Sequence, residues 1–86
     1  MSADPRQVLK DFINRQFLWG QRTIRDDEPL SQGQVVDSLG MIQLIAFIEK
    51  AFGVSCAPSE ITIDNFNSVD AIMRFIDRKQ ARSTDR

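Results

Sequence analysis

The sequence predicts an all-α fold, a small bundle of three main helices plus one short helix. Three segments repeat apolar residues at the spacing of an amphipathic helix, and the connections between them lack the alternation typical of strands. A chain of 86 residues is long enough for one modest core. We therefore expect a single domain over residues 1–86, with an ordered core over 4–80 and a frayed tail at 81–86.

The first helix is predicted to begin at Asp4-Pro5 and to end near Trp19-Gly20. Aspartate is a preferred N-cap, and proline suits the first helical position because an N–H there would have no partner in the helix. One face of this helix should belong to the core. The helically spaced apolar residues that form it are Val8, Leu9, Phe12, Ile13 and Phe17.

Residues 21–36 show no sustained period and are predicted to form a long connection. They include an acidic run at 26–28, which we interpret as a solvated loop. A connection of this length inside a compact domain is either pinned to the core or involved in function. We expect its isolated apolar residues, Leu30 and Val35, to touch the core.

The second helix should begin at Asp37-Ser38 and end at Gly53, since glycine adopts the positive φ of a C-terminal cap without strain. Among residues 39–48 only one glycine and one glutamine lack an apolar side chain, so the helix is apolar on almost every side. Its remaining margin is either covered by the long loop or kept for a partner or cargo. The spacing predicts a core stripe of Leu39, Ile42, Ile45 and Phe52, widened by Leu44 and Ile48.

The rest of the chain predicts one short helix or a single turn, followed by the third main helix. Residues 59–66 offer capping side chains and isolated apolar residues without a long period. Ser68 should cap the last helix, and Asp70 is favourably placed in its first turn. The apolar positions of this helix are Val69, Ile72, Met73 and Ile76.

Composition and charge exclude several function classes. A formal net charge of -1, with no clustered basic face, argues against a nucleic-acid partner. The chain has no histidine and a single cysteine, Cys56, so the usual metal spacings, an internal disulfide and Ser-His or Cys-His pairs are missing. We predict a protein that is not an enzyme and holds no metal, with Cys56 as a small buried hydrophobe. With neither a signal peptide nor a membrane span in the sequence, we expect a cytoplasmic location.

Ser38, at the start of the second helix, allows two interpretations. Serine is a preferred N-cap, so its hydroxyl can serve the helix alone. Alternatively, the hydroxyl carries a modification, since a phosphate attached there would meet free backbone N–H groups and the positive end of the helix. Both interpretations need the same position, so spacing alone leaves them open.

The motifs around Ser38 together resemble the acyl carrier and peptidyl carrier protein family, whose members bind phosphopantetheine. They are Gly33 ahead of VVDSL, the helix IQLIAFIEKAFGV, the connector PSEITIDNF and the segment SVDAIMRFI. The resemblance implies an acyl-carrier-like bundle in which a phosphopantetheinyl transferase attaches 4′-phosphopantetheine from coenzyme A to Ser38. It also implies that Asp37 supports the attachment and that the thiol of the arm holds acyl or aminoacyl groups as thioesters.

The resemblance further implies a docking surface on the second helix. Fatty-acid carriers have a strongly acidic second helix and this chain does not, so docking should depend on apolar contact and shape. Gly40 and the connector look like those of free-standing carriers that an adenylate-forming acyl or aminoacyl ligase loads and that a downstream synthase, transferase or thioesterase unloads. The predicted docking residues are Leu39, Ile42, Gln43, Ala46, Glu49 and Lys50.

Several alternatives remain. The cargo is either a D-alanyl or other aminoacyl group, or a fatty-acid or polyketide acyl group, in lipid, polyketide or nonribosomal peptide biosynthesis. From a different class, the chain is a helical protein-protein interaction module without a prosthetic group. A carrier that visits several enzymes is most simply a monomer. The residues that either line a space for an acyl chain or are simply core are Met41, Ile42, Ile45, Phe47 and Met73.

Overall fold

The computed structural model describes residues 4–30 and 36–83, with side chains through residue 81, and over these ranges it is helical without strands. This confirms the predicted all-α bundle of three main helices and one short one. The connector after the second helix forms a 3₁₀ turn, Pro58–Glu60, as well as a short helix. None of the helices described is long and apolar enough to cross a membrane. The helices are α1 (Pro5–Phe17), α2 (Ser38–Phe52), α3 (Ile63–Phe66) and α4 (Val69–Ser83).

Helix α1 begins as predicted and ends earlier than predicted. The Asp4 carboxylate accepts a first-turn backbone N–H at 3.3 Å. The helix stops at Phe17 because Trp19 and Gly20 both have positive φ, 58° and 71°, which a right-handed helix does not allow. Trp19 is 81% exposed, so it belongs to the surface and not to the core.

The core joins all four helices and the long connection between α1 and α2. Leu30 is fully buried, as predicted, whereas Val35 lies outside the described residues. Ile24, which the sequence did not single out, is equally buried. Each such side chain stabilises the fold by about 1.5–3 kcal/mol through burial. The largest fully buried side chains are Leu9, Ile13, Ile24, Leu30, Leu44, Ile48, Phe66, Val69, Ile72, Phe75 and Ile76.

The ends of the last two main helices are fixed by the residues that the sequence indicated. Gly53 has φ 67° and donates its N–H to the backbone oxygen of Glu49 at 3.0 Å, which closes α2. The Ser68 hydroxyl accepts the Ala71 N–H at 3.1 Å, which caps α4. Helix α4 continues to Ser83, beyond residue 80 where we expected fraying to begin, and residues 84–86 lie outside the described residues.

Candidate functional site

Ser38 is the first residue of α2, and Asp37 before it is the N-cap. Asp37 Oδ1 lies 2.7 Å from the Gly40 nitrogen and accepts its N–H, while the Asp37 backbone oxygen accepts the Met41 N–H at 2.8 Å. The interpretation of Ser38 as the N-cap is therefore wrong, because Asp37 makes the contact of a capping side chain. Ser38 is exposed, and no residue in the described ranges hydrogen-bonds its hydroxyl.

The surroundings of the Ser38 hydroxyl suit an attached phosphate. The residue opens a helix of 15 residues, whose first N–H groups and dipole favour a negative charge. An open depression of about 370 Å³ adjoins it, lined by Val36, Asp37, Ser38 and Met41. A second open depression of about 400 Å³ lies along α4 and shares no lining residue with the first. Of the two, only the first includes Ser38 in its lining.

The outer side of α2 is apolar and exposed. Leu39 and Ile42 are 64% and 65% exposed. Gln43 and Ala46 are also exposed and follow at helical spacing, so the four residues share one side of the helix. We call Leu39, Ile42, Gln43 and Ala46 the α2 face. It contains no charged side chain, so it can contact another protein only through apolar surface and a single amide.

The predicted core stripe of α2 is wrong at Leu39 and Ile42, which lie on the α2 face. The error has a physical cause, because a helix that is apolar all round offers no polar side by which to orient it. Phe52 and Ile45, also in that stripe, are half-buried against the core. The buried side of α2 consists of Gly40, Leu44 and Ile48.

The two charged residues predicted for docking differ in their surroundings. Lys50 is exposed, whereas Glu49 is half-buried and its Oε2 accepts the Cys56 N–H at 2.8 Å. Glu49 thus holds the chain that follows α2. Cys56 packs against the core as a partly buried hydrophobe, and burial, followed by the carboxylates of Glu49 and Glu60, raises the pKa of its thiol. A thiol with a raised pKa is a poor nucleophile at neutral pH.

The residues predicted to shape a space for an acyl chain divide into two groups. The prediction is wrong for Ile42, because its side chain lies on the exposed α2 face. Phe47 stacks on Phe12 of α1 with ring centres 4.0 Å apart, so the two rings fill the contact between α1 and α2. The four that pack half-buried against the core are Met41, Ile45, Phe47 and Met73.

The acidic run at 26–28 is held by cations and is not merely solvated. Asp26 contacts Arg6 and Lys10, each at 2.6 Å. The hydrogen bond from the Arg22 side chain lowers the pKa of Glu28 to about 2. Within residues 4–30 and 36–83 no group of three or more metal-binding side chains comes together.

Sequence reasoning missed the structural role of Gly40. This glycine is buried, and a Cβ built on it would lie 2.8 Å from Cε1 of the Phe17 ring, closer than carbon atoms normally approach. Its lack of a side chain therefore lets α1 contact the first turn of α2. The available signal was a poor helix former in the first turn of a helix. The reason for a glycine at this position is the packing of α1 against it, and that packing cannot be read from the sequence.

Comparisons with known proteins agree with this geometry. The family model described as a phosphopantetheine attachment site matches residues 7–76. A D-alanyl carrier protein of Streptococcus equi subsp. zooepidemicus (strain MGCS10565) is 28% identical over 75 residues, covering 87% of this chain and 94% of the relative. A D-alanyl carrier protein of Streptococcus pyogenes serotype M5 (strain Manfredo) is 35% identical over 54 residues, covering 63% of this chain and 68% of the relative.

Among solved structures, a chain similar in both backbone and sequence is found. The structure is described as the crystal structure of a FAD-dependent dehydrogenase, and the matched chain in it has a TM-score of 0.73 and 30% identity. The match covers 79% of this chain and 97% of that chain. Because almost the whole of that chain is covered, it is similar in length to this one.

Proposed function

This chain belongs to the family of proteins with a phosphopantetheine attachment site, and on that basis we propose that Ser38 carries the arm and presents thioester-bound groups to partner enzymes. A member of this family is a carrier and not an enzyme. The family match favours a carrier over the alternative of an interaction module without a prosthetic group. The observation that carries the proposal is the cap at Asp37, because it leaves the Ser38 hydroxyl exposed at the start of α2.

For attachment, this protein has to supply an accessible serine hydroxyl, and the transferase supplies the catalytic groups. The Ser38 oxygen bonds to the pantetheine-side phosphorus of coenzyme A, adenosine 3′,5′-bisphosphate leaves, and the hydroxyl proton passes to a base on the transferase. Asp37 fixes the turn from which the hydroxyl projects, because its carboxylate accepts the Gly40 N–H. The N–H groups of the first turn favour the charge of the resulting phosphodiester. When bound, the arm supplies the thiol that forms the thioester.

Intact-protein mass spectrometry tests the attachment residue. The protein is incubated with coenzyme A and a broad-specificity phosphopantetheinyl transferase, beside the variants Ser38→Ala and Ser55→Ala, the latter removing another exposed serine. We expect one phosphopantetheine on the wild type and on Ser55→Ala, and none on Ser38→Ala. An adduct on Ser38→Ala, or none on folded wild type, would contradict the proposal.

We also propose that an adenylate-forming ligase loads an aminoacyl group onto the arm and docks on the α2 face. Two observations support this. The relatives from Streptococcus are D-alanyl carriers, and one of them matches over 94% of its length. The α2 face is apolar and uncharged, so docking by shape suits it better than steering by charge.

Loading of the phosphopantetheine-bearing protein by an adenylate-forming D-alanine ligase, with ATP and D-alanine, tests the docking surface. Ile42→Glu places a charge in the middle of the proposed contact, and we expect it to slow loading about tenfold or more. The matched control is Ile63→Glu, an equally large residue of α3 that is 70% exposed, and loading should stay within about twofold of the wild type. Equal effects at the two isoleucines would place docking elsewhere.

A second candidate concerns what happens to the loaded group. The supporting observation is the 30% identity to a chain in a structure described as a FAD-dependent dehydrogenase. A flavoenzyme acting on the thioester would remove two hydrogens from the acyl group and reduce FAD to FADH₂. A loss of two hydrogen masses from the loaded carrier, with bleaching of the flavin absorbance, would support this candidate. An unchanged mass across the aminoacyl groups that the protein accepts would oppose it.

A further inference from the structure

Four phenylalanines form a continuous row along the contact between α1 and α2. Phe12 and Phe47 stack in the middle, with ring centres 4.0 Å apart and planes 9° apart. Phe17 meets Phe12 edge-on at 6.0 Å, and Phe52 meets Phe47 edge-on at 6.3 Å. The two ends of the row are therefore alike in geometry. They differ in position, because Phe17 lies at the Ser38 end of α2 and Phe52 at the opposite end.

The Phe17 end of the row touches the turn that bears Ser38. A Cβ at Gly40 would lie 2.8 Å from Phe17 Cε1, 3.1 Å from Asp37 Oδ1 and 3.3 Å from Val36 Cγ1. The missing side chain thus leaves room for the aromatic ring and for the capping carboxylate at the same time. The backbone N–H of the same residue, Gly40, donates to that carboxylate at 2.7 Å. A further contact, from Gln16 Nε2 to Gln43 Oε1 at 3.3 Å, joins the same two helix segments.

We propose that Phe17 is a positioning residue for the attachment reaction at Ser38, acting through Gly40. Its ring holds the first turn of α2 against α1, so that Asp37 keeps its capping contact and the Ser38 hydroxyl projects into solvent. Phe17 contacts neither coenzyme A nor the arm in this role. The proposal rests on the proposed function, in which Ser38 is the attachment residue. It gives α1, which contains no residue of the docking set, a part in installing the arm.

Three variants and a control separate positioning from general stability. Gly40→Ala crowds the ring, and Phe17→Leu removes Cε1, the nearest ring atom. We expect each to lower kcat/KM for phosphopantetheine transfer about tenfold, because small misplacements of a reacting group are costly. The double variant, in which leucine leaves room for the alanine, should recover to within about twofold of the wild type. Phe52→Leu is the matched control, and its transfer rate should stay within about twofold of the wild type even where its Tm falls.

A second readout does not depend on the transferase. The residue-40 amide donates to Asp37, so its hydrogen exchange reports the cap directly. It should exchange at least about fivefold faster in Phe17→Leu and remain unchanged in Phe52→Leu. Equal transfer losses in Phe17→Leu and Phe52→Leu, losses that multiply in the double variant, or an unchanged residue-40 amide would each overturn the proposal. Failure of wild-type attachment would instead count against Ser38 as the attachment residue, while the amide still tests the role of Phe17.

Discussion

Two regions of the molecule solve opposite problems, the turn that presents Ser38 and the part where the long connection meets α1 and α4. In the second region Arg6 contacts both Asp26 and Asp70, at 2.6 and 2.5 Å, and Lys10 contacts Asp26. The Asp70 backbone N–H also donates to the Asp26 backbone oxygen at 2.9 Å. We call these four residues the charged brace. In the first region, by contrast, residues 38–48 carry no charge and two large apolar side chains lie in solvent.

The difference shows where this fold uses charge. Exposed ion pairs contribute little stability each, so the charged brace mainly selects the path of the connection, while burial of Ile24 and Leu30 supplies the free energy. The Ser38 region keeps its apolar groups unburied, which is unfavourable for a protein alone in water and useful for one that must meet other proteins. Substitutions in the two regions should therefore have separable effects, on stability in one and on function in the other.

The largest expected effect on stability is that of Leu30→Ala in the braced region. Leu30 is fully buried although it lies in a loop, so the substitution should cost about 2–5 kcal/mol, as in a helical core. In a domain of this size that lowers Tm by about 10 °C or more. Thermal unfolding followed by circular dichroism measures the change.

Phosphopantetheine transfer to the same variant, measured below its Tm, tests whether stability in the braced region and function at the Ser38 turn are separable. Phosphopantetheine transfer to folded Leu30→Ala should match the wild type, because the substitution keeps the Leu30 backbone oxygen, which accepts the Val36 N–H at 3.1 Å just before the turn at Ser38. Ile63→Ala, which truncates a residue 70% exposed, is the control and should leave Tm nearly unchanged. A small loss of Tm in Leu30→Ala would mean that the loop is not anchored through its core residue.

A smaller effect is expected from the cap itself. Asp37→Ala removes the contact with the Gly40 N–H and should destabilise the protein by about 1 kcal/mol. Asp37→Asn keeps a good capping group and removes the charge, so its free energy of unfolding should stay close to that of the wild type. Urea unfolding measures both variants.

Transfer kinetics then separate the two roles of Asp37. If the carboxylate acts on installation through its charge, Asp37→Asn should be slow in transfer while remaining stable. If Asp37 acts only as a cap, Asp37→Asn should react at the wild-type rate and only Asp37→Ala should be slow. A stable, fully reactive Asp37→Ala would contradict the cap as the device that presents Ser38.

The buried side of a helix could be predicted from the sequence where apolar residues recur at helical spacing and polar residues occupy the opposite side. Where the spacing or the polar side was lacking, it could not. Helices α1 and α4 have a polar side, so most of their buried residues could be predicted, although Phe75 of α4 was not among the predicted positions. Helix α2 is nearly all apolar, which is why Leu39 and Ile42 were placed in the core stripe. Ile24 stands alone between polar residues and carries no period, so only the folded connection shows its burial.

The site was predicted by resemblance more than by local chemistry. Asp37 and Ser38 are both good capping residues, so spacing could not say which one caps α2. The packing of Phe17 on Gly40 depends on residues 23 positions apart in the chain. Contacts of that kind arise from the arrangement of helices, which a pattern within one helix does not contain.

The smallest expected effect concerns the ion pair between Arg22 and Glu28, in the same long connection as the charged brace. The hydrogen bond from Arg22 lowers the pKa of Glu28 from an ordinary 4.5 to about 2. A lowered pKa in the folded state means that this carboxylate contributes stability fully above about pH 4.5 and loses that contribution as the pH falls towards 2. Because the Arg22 side chain is half exposed, the contribution is small and should weaken with added salt.

Carbon-13 NMR titration of the Glu28 carboxyl should show a midpoint near 2 in the wild type and one moved towards 4.5 in Arg22→Gln. Arg25→Gln, whose side chain pairs with Asp27, is the control and should move the midpoint much less. An unshifted Glu28 in the wild type would mean that Glu28 is solvated, as the sequence alone suggested, and would confine the role of charge in this connection to Asp26 of the brace.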